Sequence, residues 1–174
     1  MTFTHLDERG KARMVDITAK AVTTRTAIAR ATVASTKQLD REQAIACEMA
    51  ARIGVQKTSS LIPLCHPIPI DTIDVEITPI DNGFHIDVTV TTDWRTGVEM
   101  EALTGAMIAA LTAVRAVGAQ HTTIEDVALL RKSGGRSGVW GRSTMADETT
   151  DGNATGDSPN NNQHRDGSGH IVQR

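Results

Sequence analysis

The order in which two hydrophobic periods follow one another constrains the fold of this chain more than any other feature. Alternating apolar and polar residues indicate strands, whereas apolar residues that recur every three or four positions indicate helices. Residues 22–34 are rich in Thr, Val and Ile and favour a strand. Residues 40–57 open with the spacing of a capping box and then repeat an apolar residue every fourth position, which predicts a helix. The residues that carry this pattern are Asp40, Gln43, Ile45, Met49 and Ile53.

A β-hairpin, a second helix and a last strand complete the pattern. Residues 73–77 and 84–90 both alternate, and Asp81-Asn82-Gly83 between them is a turn sequence. Residues 98–117 predict a well-buried helix with its apolar face formed by Leu103, Met107, Leu111 and Val114. A short strand is expected over 122–130. The order β-α-β-β-α-β predicts an α+β fold of the ferredoxin-like type, an antiparallel or mixed sheet with two helices on one face.

Composition predicts one folded domain over residues 1–144 and a disordered tail over 145–174. A chain of 174 residues, 39% of them hydrophobic, can bury one sizeable core. From residue 145 onward Asp, Asn, Gly, Ser and Thr dominate, and these residues offer little apolar surface to offset the entropy of ordering.

Charge and composition also exclude several classes of protein. A net charge of -3, two tryptophans, two phenylalanines and no tyrosine do not favour a nucleic-acid partner. We expect no membrane span, because no apolar run approaches the roughly 20 residues that a span needs, and the polar start lacks the apolar core of a signal peptide. These features predict a cytoplasmic protein. Cys47 and Cys65 lie in apolar segments and are expected to be buried, reduced thiols.

The segment 61–70 is unusual because three prolines remove backbone donors and fix the chain. His66 precedes Pro67, which biases it towards an extended conformation and presents its imidazole from a rigid loop. Such a histidine suits general acid–base catalysis, although a hydrogen-bonded structural histidine is an alternative interpretation. A metal pair with Cys65 is disfavoured, because adjacent residues on an extended chain point to opposite sides.

Two further segments carry charge that suits a phosphate-bearing ligand. Residues 132–138 combine Lys132 and Arg136 with three glycines, whose backbone amides are able to converge on an anion; a flexible exit loop is the alternative. Glu99 and Glu101 stand at the start of the second predicted helix, where they interact favourably with its dipole. If both lie within the helix they are expected to diverge, and if the chain is still extended both would line one site. Near the start of the chain, Lys20 and Arg25 supply further cations, either as a solvated edge or for an anionic substrate.

Four segments in order resemble the signatures of the MoaC family of cyclic pyranopterin monophosphate synthases: MVDITAK at 14–20, LIPLCHP at 61–67, GVEMEALT at 97–104 and LLRKSGGRSG at 129–138. The resemblance covers roughly residues 4–140. It implies a ferredoxin-like fold that forms a homohexamer as a trimer of dimers, with the site at a subunit interface. It also implies a cofactor-free lyase of molybdenum cofactor biosynthesis, without a metal. The substrate would be the 3′,8-cyclised dihydro-GTP made by a separate radical GTP cyclase, and the products cyclic pyranopterin monophosphate and pyrophosphate.

The same resemblance implies roles for individual residues. His66, Lys132 and Glu101 would be catalytic, with His66 as the proton-transfer group. Lys132 would hold phosphates, and Asp16 would orient Lys20. The residues expected to bind substrate are Leu64, Cys65, His66, Met100, Glu101, Glu99, Lys20 and Arg25.

This chain also departs from the family pattern at several reactive positions. A family lysine before the first helix falls at Asp40, beside Arg41, and an aspartate and a lysine late in the second helix fall at Arg115 and Gly118. A further family lysine falls at Gln56, next to Lys57. Two hypotheses follow: an active synthase in which neighbouring charges or another subunit compensate, or a catalytically impaired paralogue that acts as a ligand-binding or partner subunit.

Overall fold

A computed structural model of the protein describes residues 8–143. Its elements in chain order are β1 (Thr23–Ser35), α1 (Arg41–Leu61), β2 (Thr72–Ile80), β3 (Gly83–Trp94), α2 (Glu99–Val117), β4 (Thr122–Ser133) and β5 (Trp140–Gly141). The predicted order of elements is confirmed. The last long strand extends beyond its predicted end, and the two-residue β5 was not predicted. The predicted disordered tail lies outside the described residues.

The strands form a single antiparallel sheet in the order β2-β3-β1-β4-β5. The β2–β3 hairpin turns at Asp81-Asn82, and its register pairs Ile80 with Gly83. Gly83 has a φ of 145°, and a Cβ there would collide with the carbonyl of Val33, so the turn requires glycine. The central β1 pairs β3 on one side and β4 on the other, which gives the ferredoxin-like arrangement predicted from the sequence.

The two helices pack against each other and run in opposite directions. Asp40 caps α1 through a capping box, because its carboxylate accepts from the Gln43 amide at 2.8 Å while the Gln43 side chain accepts from the Asp40 amide at 3.0 Å. The Gln43 amide group also donates to the Ala116 carbonyl at 3.3 Å, so the start of α1 lies beside the end of α2. The opposite ends of the helices, near Leu61 and Glu99, therefore face the other end of the domain.

The helix faces that reach the core are lined by small residues rather than by the large apolar ones. In α2 the buried positions include Ala102, Gly105, Ala106, Ala109, Ala110 and Ala113, whereas Met107 and Leu111 are exposed. The prediction that Met107 and Leu111 face the core is therefore wrong. The reason is close helix contact: a Cβ at Gly105 would crowd Val55, and one at Gly54 would crowd Ile108. Ile45, Met49 and Ile53 of α1 are exposed as well.

Helix α2 is long and apolar enough, by length and composition alone, to cross a membrane. The expectation that no segment reaches that length and apolarity is therefore wrong. Its buried alanine face packs against the sheet strands β1, β3 and β4 and against α1. This packing is that of the core helix of a folded domain, whose apolar character is explained by burial inside the protein.

Candidate active site

A cavity of about 310 Å³ lies where the end of α1 meets the start of α2. It is enclosed by three segments that are far apart in sequence: residues 15–20, residues 64–68 and residues 96–101. Its walls are mainly apolar, with a few titratable groups among them. The lining residues are Val15, Ile17, Lys20, Leu64, Cys65, His66, Ile68, Thr96, Gly97, Glu99, Met100 and Glu101. Seven of the residues predicted to bind substrate are therefore brought together.

The segment that carries His66 leaves α1 by an abrupt turn. Leu64 adopts a φ of 64°, and it is the one residue other than glycine with positive φ in the described part of the chain. A leucine in this conformation is strained by roughly 1–2 kcal/mol, and such strain is typical of functional sites. Pro67 then fixes the chain beyond His66. As a result the half-buried imidazole is held at the cavity wall by a segment with little backbone freedom.

Glu101 is the buried acid of this cavity, with only 4% of its surface exposed. Burial raises the pKa of its carboxyl to about 7, and the negative charge of Glu99 adds to that shift, while a hydrogen bond with its own backbone amide opposes it. A carboxyl with this pKa is present in both protonation states near neutral pH. It is thus able to donate and to accept a proton in one cavity with His66.

Glu99, two residues earlier, has a different environment. Its Oε1 accepts a hydrogen bond from the Lys132 Nζ at 3.0 Å, and both side chains are about 30% exposed. Lys132 reaches this position from the end of β4, where it pairs with Ala27 of β1. Although both glutamates lie in the first turn of α2, they line the same cavity, so the expectation that a helix would separate them is wrong. The helix begins at Glu99, and the Glu99 side chain extends back past Gly97. A Cβ added to Gly97 would collide with the Glu99 carboxylate.

A second, larger cleft of about 740 Å³ adjoins the first and shares Lys20, Thr96, Gly97 and Glu99 with it. We call it the cationic cleft, because four basic side chains line it: Lys20, Arg25, Arg95 and Arg136. Its remaining lining residues are Ala19, Ala21, Thr23, Thr96, Gly97, Glu99, Gly135 and Ser137. The glycine-rich segment predicted to bind phosphate therefore forms one wall of this cleft.

The conformation of that glycine-rich wall depends on its glycines. Gly134 and Gly135 have φ values of 92° and 69°, and a Cβ on either would collide with β1: with the Thr24 carbonyl or with the Arg25 guanidinium. The segment therefore lies directly on the start of β1. Arg136 and Ser137 are placed at the cleft by this close approach.

The carboxylate of Asp16 accepts two hydrogen bonds from Thr18 rather than one from Lys20. The Thr18 amide donates at 2.9 Å and the Thr18 hydroxyl at 2.8 Å. Both hydrogen bonds lower the pKa of Asp16, and the one from the amide has the larger effect. The Lys20 amide in turn donates to the Ile17 carbonyl at 3.1 Å. Asp16 thus orders the turn that leads to Lys20.

The two cysteines differ in exposure. Cys47 is buried in the core, as predicted, and burial raises the pKa of its thiol to about 11. Cys65 is only half-buried and lines the cavity, so its predicted burial is not met in full. Burial and the nearby Glu101 raise the pKa of the Cys65 thiol, which favours the neutral form. Among residues 8–143, no three His, Cys, Asp or Glu side chains gather in a way that would hold a metal ion.

Apart from Gln56, which lies in the last two turns of α1, the positions at which the resemblance implies a departure from the family pattern lie at the other end of the helices. Asp40 precedes α1, and Arg115 and Gly118 stand at the end of α2. The 21-residue α1 separates that end from the cavity by about 30 Å at 1.5 Å per residue. Within one copy of the chain, these positions and the cavity are therefore too far apart to act on one substrate.

Comparison with known proteins agrees with the family resemblance that the sequence motifs suggested. The MoaC family profile matches residues 14–135, which is well over half of the chain. Proteins named cyclic pyranopterin monophosphate synthase from Thermomicrobium roseum and Streptomyces coelicolor are 43% and 41% identical to it; each alignment covers 80% of this chain, and 92% and 89% of the relative. A protein of Mycobacterium tuberculosis named cyclic pyranopterin monophosphate synthase 1 is 45% identical over 82% of this chain and 92% of its own length. The chain belongs to the MoaC family.

Proposed function

We propose that this protein is a cyclic pyranopterin monophosphate synthase. It would act as a lyase of molybdenum cofactor biosynthesis that converts 3′,8-cyclised dihydro-GTP to cyclic pyranopterin monophosphate and pyrophosphate. One observation carries the proposal: a cavity with two proton-transfer candidates, His66 and Glu101, adjoins a larger cleft lined by four basic residues. The relatives that bear this enzyme name are similar over most of both chains.

The two compartments suit the two parts of such a substrate. The cavity of 310 Å³ has apolar walls and acid–base groups, as a reacting heterocycle requires. The cleft of 740 Å³ has the positive charge that a triphosphate requires. Rearranging and rebuilding the rings needs several proton transfers, and a carboxyl with a pKa of about 7 in the same cavity as an imidazole is suited to give and take protons near neutral pH.

Lys132 would act at the boundary between the compartments. Lys132 itself lines neither compartment, but its ion pair is with Glu99, which lines both, so the ammonium group is held behind the wall that they share. From there it would neutralise the phosphate nearest to the ring system and hold it for cyclisation. Leu64, Cys65 and Met100 would contact the heterocycle, and Lys20 would contact the phosphates. No step of this scheme requires a metal ion or an organic cofactor.

The proposal includes an assembly of identical subunits, a homohexamer built as a trimer of dimers. The outer surface of the helices supports subunit contacts, because it exposes large apolar side chains that a monomer would leave in water: Ile45, Met49, Ile53, Met107 and Leu111. We place the enzyme in the cytoplasm, with a radical GTP cyclase supplying its substrate, and without nucleic acid or membrane partners.

A product assay tests this function. Purified protein is incubated with the cyclised dihydro-GTP intermediate, and pyrophosphate and the cyclic phosphate product are measured together. We expect the two products in equal amounts. If neither product forms at enzyme concentrations comparable to substrate, the synthase proposal is wrong, and the catalytically impaired paralogue becomes the better hypothesis.

A further inference from the structure

A buried threonine stands in the apolar row on the core side of β3. Thr92 is fully buried, and the other buried members of this row are apolar: Phe84, Ile86, Val88 and Val90. A hydroxyl in such a place costs free energy unless it has a hydrogen-bond partner. The partner of Thr92 lies outside the sheet, because its Oγ1 donates to the Pro69 carbonyl at 2.5 Å. Thr92 therefore ties β3 to the proline-rich segment that carries His66.

Residues 66–70 of that segment form a stiff, extended stretch. Their exposure alternates, since His66, Ile68 and Ile70 are half-buried whereas Pro67 and Pro69 are exposed, and such alternation is typical of an extended chain. Each proline fixes its own φ and restricts the residue before it to extended conformations. We therefore expect this stretch to move as one unit, so that whatever holds Pro69 also sets the position of His66.

Few backbone groups are available to hold the stretch, because its two prolines have no N–H to donate. The ladder between β2 and β3 begins beyond it, at Asp71. The Asp71 amide donates to the Thr91 carbonyl at 3.1 Å, and the Asp71 carboxylate accepts from the Asp93 amide at 2.7 Å. If the bond from Thr92 were lost, the stretch would be held by this exposed end and by the packing of its isoleucines against the core.

The same threonine relates two walls of the cavity to each other. Thr92 lies four residues before Thr96, where the wall that holds Glu101 begins. Through Pro69 it also holds the wall that contains His66. Both proton-transfer candidates are thus positioned relative to one strand.

We propose that Thr92 is a positioning residue for His66. The proposal rests on the proposed function, in which the imidazole transfers protons. Thr92 does not line the cavity, so it acts through the backbone of residues 66–70. His66 lies about 10 Å from Pro69 at roughly 3.3 Å per residue, so a tilt of about 6° would move the imidazole by about 1 Å. A misplacement of about 1 Å is able to cost about 10² in rate.

The first test compares two variants of Thr92 in the pyrophosphate-release assay. Thr92→Val keeps the shape of the side chain but removes the donor, and it is expected to lower kcat about 10- to 100-fold. Its KM should stay within about twofold, because the groups that bind the substrate are unchanged. Thr92→Ser keeps the donor and should retain kcat within about threefold. A serine variant as slow as the valine variant would overturn the proposal.

The matched control is Thr112→Val in α2. Thr112 is a half-buried threonine whose hydroxyl donates to the Ile108 carbonyl at 2.8 Å, so the same donor is lost away from the segment that carries His66. Its kcat should stay within about twofold of the parent. An equal loss of kcat in Thr112→Val and Thr92→Val would mean that general loosening of the fold, rather than the bond to Pro69, explains the effect, and would contradict the proposal.

The second test does not depend on turnover. The Cε1–Hε1 signal of the His66 imidazole is identified in nuclear magnetic resonance spectra by its loss in His66→Ala. We expect Thr92→Val to shift and broaden this signal, and Thr92→Ser and Thr112→Val to leave it close to that of the parent. A His66 signal that is the same in Thr92→Val as in the parent would overturn the proposal.

Failure of the positioning role is distinguishable from failure of the proposed function. A His66 signal that responds to Thr92→Val, in a protein without turnover, would support the tether and remove the synthase assignment. Turnover that Thr92→Val leaves unchanged would do the reverse. Circular dichroism verifies that each variant is folded. If the valine variant does not fold, Thr92→Cys takes its place in both tests under reducing conditions, because a thiol is only a weak donor.

Discussion

The two ends of the helix pair differ in how their residues relate to stability. At the end that carries Asp40 and Gly118, the residues serve the fold, since Asp40 caps α1 through a capping box and Gly118 ends α2 with a φ of 107°. At the cavity end, the residues incur structural costs, since Leu64 has a positive φ, Glu101 is a buried acid, and Val98, the N-cap residue of α2, provides no side-chain cap. Local rules of stability are obeyed at one end and broken at the other, and broken rules are expected where a site needs particular groups.

The contrast between the two ends also suggests what a residue at one replaced family position does in this chain. Where the resemblance implies a reactive lysine, this chain has Asp40, which stabilises the first turn of a helix. The cavity end keeps its proton-transfer candidates and its ion pair. Substitutions at the cavity end should therefore change the chemistry, and substitutions at the other end should change only stability.

Removing the imidazole should have the largest effect. His66→Ala is expected to lower the turnover of the cyclised intermediate by about 10²- to 10⁴-fold, because a positioned proton-transfer group is lost. The fold should persist, since His66 is only half-buried. Pyrophosphate release, with thermal unfolding as the check on stability, measures both effects.

The control for this variant is His121→Ala at the other end of the domain, where His121 contacts the Thr36 hydroxyl at 3.4 Å. Its turnover should stay within about twofold of the parent, as expected for a surface site away from the reacting groups. An equal loss of activity in both variants would show that the two ends do not differ in their contribution to the chemistry.

Neutralising the buried acid should stabilise the protein, but only at higher pH. The folded-state pKa of Glu101, about 7, lies above the ordinary glutamate value of 4.5, so the folded state holds a proton that the unfolded chain releases. Stability is therefore lost as pH rises between these two values, and Glu101→Gln removes that loss. We expect the variant to gain about 2 kcal/mol in the free energy of unfolding at pH 8 and almost nothing at pH 4.

Urea denaturation at the two pH values measures this difference. Glu99→Gln is the matched variant two residues away, and it should lose rather than gain stability, by about 0.5 kcal/mol, because its carboxylate pairs with Lys132 at the partly exposed boundary. A Glu101→Gln gain that does not depend on pH would argue against a buried, titrating carboxyl.

Removing the cap at the other end should change stability without changing the chemistry. Asp40→Ala is expected to lower the free energy of unfolding by about 1 kcal/mol, because the Gln43 amide loses its acceptor. Asp40→Ser keeps an N-cap acceptor and should retain most of the stability. Thermal unfolding measures both variants, and a fall in turnover per folded molecule for Asp40→Ser would show that the Asp40 carboxylate has more than a capping role.

An effect of about the same size as that of the lost cap should come from the strained turn. Leu64→Ala and Leu64→Gly remove the same cavity contacts, but only glycine adopts a φ of 64° without strain. The glycine variant should therefore be the more stable of the two by about 1 kcal/mol, as measured by urea denaturation. Equal stability, or a more stable alanine variant, would show that the turn stores no strain.

Much of the fold was predictable because its elements have clear periods and caps. The capping box at Asp40, the Asp81-Asn82-Gly83 turn and the alternation of β2 and β3 all correspond to elements that the structure contains. The buried helix faces were not predictable from the large apolar residues, since contact through Gly54 and Gly105 turns Met107 and Leu111 outward. Periodicity gives the spacing of a face but does not say how closely two helices approach.

Part of the candidate site was predictable from the sequence and part was not, as for the fold. Segments with unusual composition, such as the proline-rich 61–70 and the glycine-rich 132–138, pointed to both compartments. Arg95 and Thr23 were not singled out, because they lie at a strand end and a strand start that only the β1–β3 register brings together. The hydrogen bonds of Arg25 were likewise not predictable from the sequence, since its guanidinium donates to the backbone carbonyls of residues 94 and 95.

The most direct test of the difference between the two ends is the titration of the Glu101 carboxyl by ¹³C nuclear magnetic resonance. Glutamate side-chain carboxyl carbons are followed from about pH 3 to pH 9, a range that spans ordinary and raised carboxyl pKa values, in the parent protein and in Glu101→Gln, which identifies the signal by its loss. The arrangement of the cavity predicts one carboxyl that titrates near pH 7 and is missing from the variant. If every glutamate titrates below about pH 5, as unperturbed glutamates do, Glu101 is an ordinary solvated acid and the proton-transfer role of this cavity is contradicted.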